Sequence, residues 1–352
     1  SSVYSKKINK PPRNFIVNFK RNEMTIALLF GVFFLFLFTV GSEFLSGVYR
    51  GRGNWGPLAG YFYWFLDVFF TLSIVLSLYG KKDFGNNIIF LFGKKLTLFS
   101  LIVAILFLFI GDRGLPMFLI LLIIGAYCHI VKKINFLYSA CIIISGVACL
   151  AVVGDLRISA KSDLTFLDRL VSVQGKDNFI SYFSELVINN RSLYVLYDHA
   201  NENGFYYGKN FVSNIAAVIP FFQNILINIF NLDYAQINTA SLVTKLGLGE
   251  APSIGLGTNM VGGIYLSFGL AGVIVILTFF GYFMSYLFFT SRYNINNLLV
   301  YMSIFSLSVS LNRNDLTMII RPVVWLLIFF HILYRPRNQD YFPNNCFTKS
   351  IN

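Results

Sequence analysis

The sequence predicts an all-α polytopic membrane protein, on three observations. Of 352 residues, 56% are hydrophobic and 18% aromatic, while only 12% are charged; a soluble globular domain carries about 25% charged residues. Mean hydropathy is +0.65. The apolar residues gather into stretches near the roughly 20 residues that a helix needs to cross a bilayer. Disordered and collagenous chains are excluded by the same numbers, and four cysteines are too few for a disulfide scaffold.

Eight stretches qualify or come close, so the expectation is about eight transmembrane helices. They are Met24 to Gly41, Leu58 to Tyr79, Leu96 to Ile110, Leu115 to Val131, Ile134 to Val153, Val261 to Phe289, Leu298 to Leu311 and Ile319 to Tyr334. The third and seventh are short. The first is long and lacks a small-residue cleavage site, so it reads as a span and not a signal peptide. Any helices preceding Ser1 are expected to be even in number. The division is then residues 1–153 (N-terminal tail and five spans), 154–260 (large loop), 261–334 (three spans) and 335–352 (C-terminal tail).

The formal net charge of +12 invites a nucleic-acid or anionic-surface reading. Its distribution argues otherwise. Alternate connections of the eight-span layout hold 16 basic residues against Glu23, Asp83 and Asp340, a net of +13, and the opposite connections net −1. The positive-inside rule makes the +13 side cytoplasmic. The excess charge is therefore topological, and no nucleic-acid partner is expected.

The connection from Gly154 to Met260, on the outer side, is too long for a turn, and loops of that length are usually functional. Within it, Phe179 to Tyr197 and Phe211 to Phe230 read as helices. The second contains Pro220, Gln223, Asn224 and Asn228, so it is expected to lie at the outer interface as an amphipathic or re-entrant helix and not to span.

The short outer loops carry Arg50, Arg52, Arg113 and Arg313 and no lysine, whereas the inner loops are dominated by lysine. A planar guanidinium is preferred where phosphate or carboxylate is gripped bidentately. The set therefore suggests an anionic ligand, with Arg157, Arg169 and Arg191 of the long loop extending it. Headgroup anchoring, or pairing with Glu43, Asp112 and Asp315, is the plainer reading of any one of them. Arg321, just inside the last span, is costly in hydrocarbon and a functional candidate by default. Asp112 either pairs with Arg113 or orients it toward a phosphate. Asp67, mid-span among Tyr61, Phe62, Tyr63, Trp64 and Phe65, is functional or buried against a partner. Asp198-His199 follows the loop helix bearing Arg191; the histidine is either solvated or a base near neutral pH. Asp198, Glu202 and Glu250 are rival bases. No metal-ligand spacing appears, and no metal or cofactor is expected.

Gly247-Leu248-Gly249-Glu250 and Gly255-Leu256-Gly257-Thr258-Asn259 look like phosphate loops but lack the Lys-Ser/Thr of a P-loop and a preceding strand. The other reading is a tightly packed lead-in to the sixth span. The second of these, followed by Tyr265-Leu266 and Phe268-Gly269 with Gly272, resembles the end of the large periplasmic loop of Wzy-type O-antigen polymerases. The layout of many spans, one large outer loop before the last helices, outer arginines and an Asp-Arg hairpin is similar too. The likeness is sharp only over about residues 247 to 272, and Gly263 and Ser267 stand where such proteins often carry acids.

The resemblance implies a metal-independent inner-membrane glycosyltransferase of the GT-C type, acting on its periplasmic side. The donor would be a glycan on undecaprenyl diphosphate and the acceptor a lipid-linked repeat unit, with a chain-length regulator protein as a further partner. Arg113, Arg191 and Arg321 would stabilise the leaving diphosphate, and His199 would deprotonate the acceptor. Arg50, Arg52, Asp112, Arg157, Arg169, Asp198, Glu250, Asn259, Tyr265 and Arg313 would line the substrate site. Rival readings are an O-antigen ligase using the same donor, and a flippase for lipid-linked oligosaccharide. A flippase should show internal repeats and charges along several spans; neither is evident.

Overall fold

The structure, a computed structural model, describes residues 19–41, 44, 55, 57–79, 92–131, 135, 137–138, 146, 181–230, 238–249 and 255–334. These residues are helical with connecting turns, and no strand occurs among them. Six helical segments among them are long and apolar enough to cross a membrane: Lys20–Val40, Leu58–Tyr79, Gly114–Val131, Met260–Thr290, Ile295–Asn312 and Leu316–Tyr334. They correspond to six of the eight expected spans. The expected third span is the helix Lys94–Ile110, whose 17 residues fall just short of that length. The expected fifth, Ile134 to Val153, lies outside the described residues apart from a few positions.

We label the helices α1 (Phe19–Val40), α2 (Pro57–Tyr79), α3 (Lys94–Ile110), α4 (Gly114–Ala126, continued by a π-turn Tyr127–Val131), α5 (Ser181–Asn203), α6 (Lys209–Ala216), α7 (Phe222–Phe230), α8 (Thr239–Leu248), α9 (Met260–Thr290), α10 (Ile295–Leu307) and α11 (Ile320–Tyr334). Short 3-10 turns, Ser308–Asn312 and Leu316–Ile319, lie between α10 and α11.

Helix α2 is apolar all round, the pattern of a helix buried on every side. It packs against α1, α4, α10 and α11, and Leu66, Phe70, Leu72, Ile74, Leu76 and Leu78 are fully buried along it. Asp67 is therefore in the middle of the central helix, at 3% exposure. The α3–α4 hairpin turns at Gly111, whose left-handed φ of 88° closes α3 with bonds from Gly111 N–H to Leu108 and Asp112 N–H to Phe107. Gly125 lets α4 approach α10, because a Cβ there would stand 2.7 Å from the Phe305 ring.

The bundle has two distinct ends. At one, Asn22 of α1 donates to Ser77 of α2 (3.0 Å), Thr25 bonds Tyr334 of α11 (2.8 Å), and His129 bonds Ser291 at the end of α9 (2.8 Å). Lys20, Arg21, Lys94, Lys95 and Arg292 belong to this basic end. The other end is closed by rings: Phe36 meets Phe44, Trp55, Tyr63 and Phe107 with centroids 5.3–6.3 Å apart. The loop helices α5 to α8 dock here. Tyr61 accepts the Phe221 backbone N–H (2.9 Å), and the Trp325 indole N–H donates to the Val218 carbonyl (2.9 Å).

The expected interfacial helix Phe211 to Phe230 is two short helices, α6 and α7, broken at 217–221 around Pro220, where Phe221 has a φ of 64°. At 1.5 Å per residue each is only about 12–14 Å long, so neither crosses a bilayer. Val212, Ile215, Ile219, Ile225 and Ile229 form an exposed apolar stripe along the pair. The loop helices also own a small core of Leu196, Ala200, Leu242, Val243, Leu256 and Leu266.

Candidate functional site

The site lies where α5, α8, the 255–259 segment and the turn before α11 converge. Asn259 caps α9, its side-chain oxygen accepting the N–H groups of Val261 (2.9 Å) and Gly262 (3.3 Å). Gly262 then admits α5, since a Cβ there would stand 2.8 Å from Leu196 and 3.5 Å from the Leu193 backbone. The two glycine segments are packed together: a Cβ on Gly247 would stand 2.6 Å from Leu256, and the Leu256 N–H donates to Thr244. This is the geometry of a tight lead-in to the span.

Two arginines frame that lead-in. Arg191 of α5 is exposed, and its Nη2 donates to the Gly247 carbonyl (2.8 Å). The Arg313 carbonyl accepts the Thr258 N–H (3.1 Å), and its backbone and side chain crowd Gly257, which takes a φ of 75°. Arg113 stands at the N-cap of α4, at the same end of the bundle, and the preceding Asp112, 4% exposed, accepts the Gly114 N–H (2.7 Å). Arg321 sits over the Trp64 ring at 5.6 Å. Arg50, Arg52, Arg157, Arg169 and Glu250 lie outside the described residues.

Beneath the arginines is a polar node that the sequence reading missed. Asp315 is buried; Asn214 of α6 donates to its Oδ2 (3.1 Å) and also to Thr317 (2.9 Å), and the Thr239 and Thr258 hydroxyls face the same carboxyl. Its Oδ1 packs on Gly263, where a Cβ would collide with it. Asn210 donates to the Gly263 carbonyl (3.2 Å) and accepts from Ser267. Burial pushes the Asp315 carboxyl above the ordinary carboxylate range, partly opposed by the neighbouring Thr239 hydroxyl, the Asn214 hydrogen bond and the neighbouring Thr258 hydroxyl. A carboxyl from the turn before α11 thus packs directly on position 263. The detectable signal was Asn210 and Asn214, one turn apart on the face of α6 opposite its apolar stripe.

Asp198 and His199 lie within α5, not after it, because that helix runs on to Asn203. His199 is half-buried, with Nε2 3.0 Å from the Tyr206 hydroxyl and Nδ1 3.2 Å from Asn203 Nδ2. Asp198 and Glu202 are exposed. Tyr265 donates to Asn201 (3.1 Å), and its ring meets Tyr197 (5.0 Å) and Phe205 (6.0 Å).

Helix α9 kinks at Gly269, where φ is 66° and ψ −166°. The kink diverts the Leu266 and Ser267 carbonyls from the helical ladder, and the N–H groups of Tyr206 (2.9 Å) and Tyr207 (3.0 Å) take them. The Phe268-Gly269 pair is therefore a kink element that fixes the 204–208 turn beside His199.

No family profile, no curated protein and no solved structure matches the chain.

Proposed function

We propose that the chain is a glycosyltransferase of the O-antigen polymerase kind, with a GT-C-type architecture in the bacterial inner membrane. It would transfer a growing glycan en bloc from undecaprenyl diphosphate to a lipid-linked repeat unit at the periplasmic face. The single observation that supports this reading is the exposed Arg191 guanidinium held against the Gly247 carbonyl, with the Arg313 backbone clasping Thr258 nearby, beside the docked amphipathic helices. Guanidinium groups at a membrane surface suit a lipid-linked diphosphate, whose negative charge grows as it leaves.

In the reaction, the acceptor hydroxyl oxygen bonds to the anomeric carbon of the donor glycan. The bond from that carbon to the diphosphate oxygen breaks and its electron pair leaves with undecaprenyl diphosphate. The hydroxyl proton passes to a base on the loop helices. Arg191, Arg313 and Arg113 hold and stabilise the leaving group, and α6 and α7 lie at the interface where the lipid tails arrive.

Replacing Arg191 or Arg113 by Ala or Lys should abolish long-chain polymer while single capped units persist in a cell-surface glycan ladder. Normal ladders in both variants contradict the diphosphate-binding role, and repeat units accumulating on the cytoplasmic face would favour a flippase instead.

A further inference from the structure

The base expected from the sequence was His199, and its hydrogen bonds argue against that role. Asn203 Nδ2 lies 3.2 Å from the His199 carbonyl oxygen as well as 3.2 Å from Nδ1. A carbonyl oxygen only accepts, so the amide must present its NH2 group to both atoms. Nδ1 is then the acceptor, and the ring proton of neutral His199 resides on Nε2, which donates to the Tyr206 hydroxyl at 3.0 Å. Both nitrogens are engaged, and neither offers a lone pair to a substrate hydroxyl.

The same helix presents another candidate. At 3.6 residues per turn, Asp198 and Glu202 project within about 20° of the direction of Arg191, while His199 is turned about 80° away. Arg191, Asp198 and Glu202 are all exposed, a single outward stripe. Asp198 lies about 10 Å along the helix from Arg191, and Glu202 about 16 Å. Of the two carboxylates on this stripe, Asp198 is the nearer to Arg191 along the helix, so an acceptor bound beside a phosphate held there meets it first.

Resting on the polymerase reading above, we propose that Asp198 is the catalytic base that takes the acceptor hydroxyl proton, and that His199 is a positioning residue, holding Tyr206 through its Nε2–H. The step balances: the acceptor oxygen gains the carbon bond, its proton moves to the Asp198 carboxylate, and the diphosphate leaves with the electron pair of the broken bond. A carboxylate in this role has the chemistry of the base in inverting glycoside hydrolysis.

The test uses the full chain in lipid vesicles with lipid-linked repeat units. D198N should lower extension by about 100-fold or more, with KM for the lipid-linked units nearly unchanged, and D198E should restore part of the rate. H199Q should stay within several-fold of wild type, because a glutamine amide can still donate to Tyr206, and E202Q likewise. Ring nitrogen-15 shifts should show His199 with its proton on Nε2. An active D198N, or an inactive H199Q together with a ring proton on Nδ1, overturns the assignment of the base alone. A wild-type chain that extends nothing overturns the polymerase reading itself, and this assignment with it.

Discussion

Asp315 and Gly263 illustrate how single positions set the site. Gly263→Ala drives a methyl into the Asp315 carboxyl, an overpacking expected to cost about 1–3 kcal/mol, read as a lower Tm in detergent. The carboxyl itself gives a pH signature. Its folded-state pKa is raised by burial, so the folded chain binds this proton more tightly than the unfolded chain. Its contribution to stability is complete below the ordinary carboxylate range and is lost as pH rises through the raised value. Melting curves across that window should fall more steeply with rising pH in wild type than in Asp315→Asn; identical slopes would contradict the buried, proton-holding carboxyl. Asp315 was hard to read from sequence because its partners, Asn214, Thr239, Thr258 and Gly263, come from separate parts of the chain, and nothing local marks them as neighbours.

Local pattern was more informative for the helices. The strong apolar runs anticipated α1, α2, α4, α9, α10 and α11 to within a few residues, since length and hydropathy act within one segment. The break in 211–230 was only half legible: Pro220 and the asparagines argued against a span, while the division into α6 and α7 depends on anchoring by Tyr61 and Trp325 from distant helices. The Gly269 kink was likewise hidden, although its residues were conspicuous as a motif. Gly269→Ala should strain this essentially glycine-only backbone conformation by roughly 1–3 kcal/mol and loosen the turn carrying Tyr206, read as a lower Tm and a shifted His199 ring signal; an unchanged melt and signal would contradict the kink's role. On α6 and α7, cysteines placed at Val212 and Ile229 should react with lipid-soluble maleimides and resist water-soluble ones. Ready reaction with the water-soluble reagent would contradict an interfacial face.

For the whole molecule, charge is the organising quantity. The basic end gathers Lys20, Arg21, Lys94, Lys95 and Arg292, and the loop-helix end carries the arginines that frame the lead-in to α9. Side-selective labelling of cysteines substituted at Lys94 and at Tyr194 should place them on opposite faces of the membrane. The sequence expects the +12 chain to divide into a cation-rich and a near-neutral side, because orientation is written in loop composition. The candidate site was legible only as a list of arginines; where Arg191 and Arg313 sit depends on how α5 and the turn before α11 pack around Gly262 and Gly257. The central claim is tested most directly by incubating the purified chain in vesicles with lipid-linked repeat units, without nucleotide sugar and with EDTA present. The account expects a ladder of extended glycan with release of the lipid diphosphate, and units that remain single in the wild-type chain would contradict it.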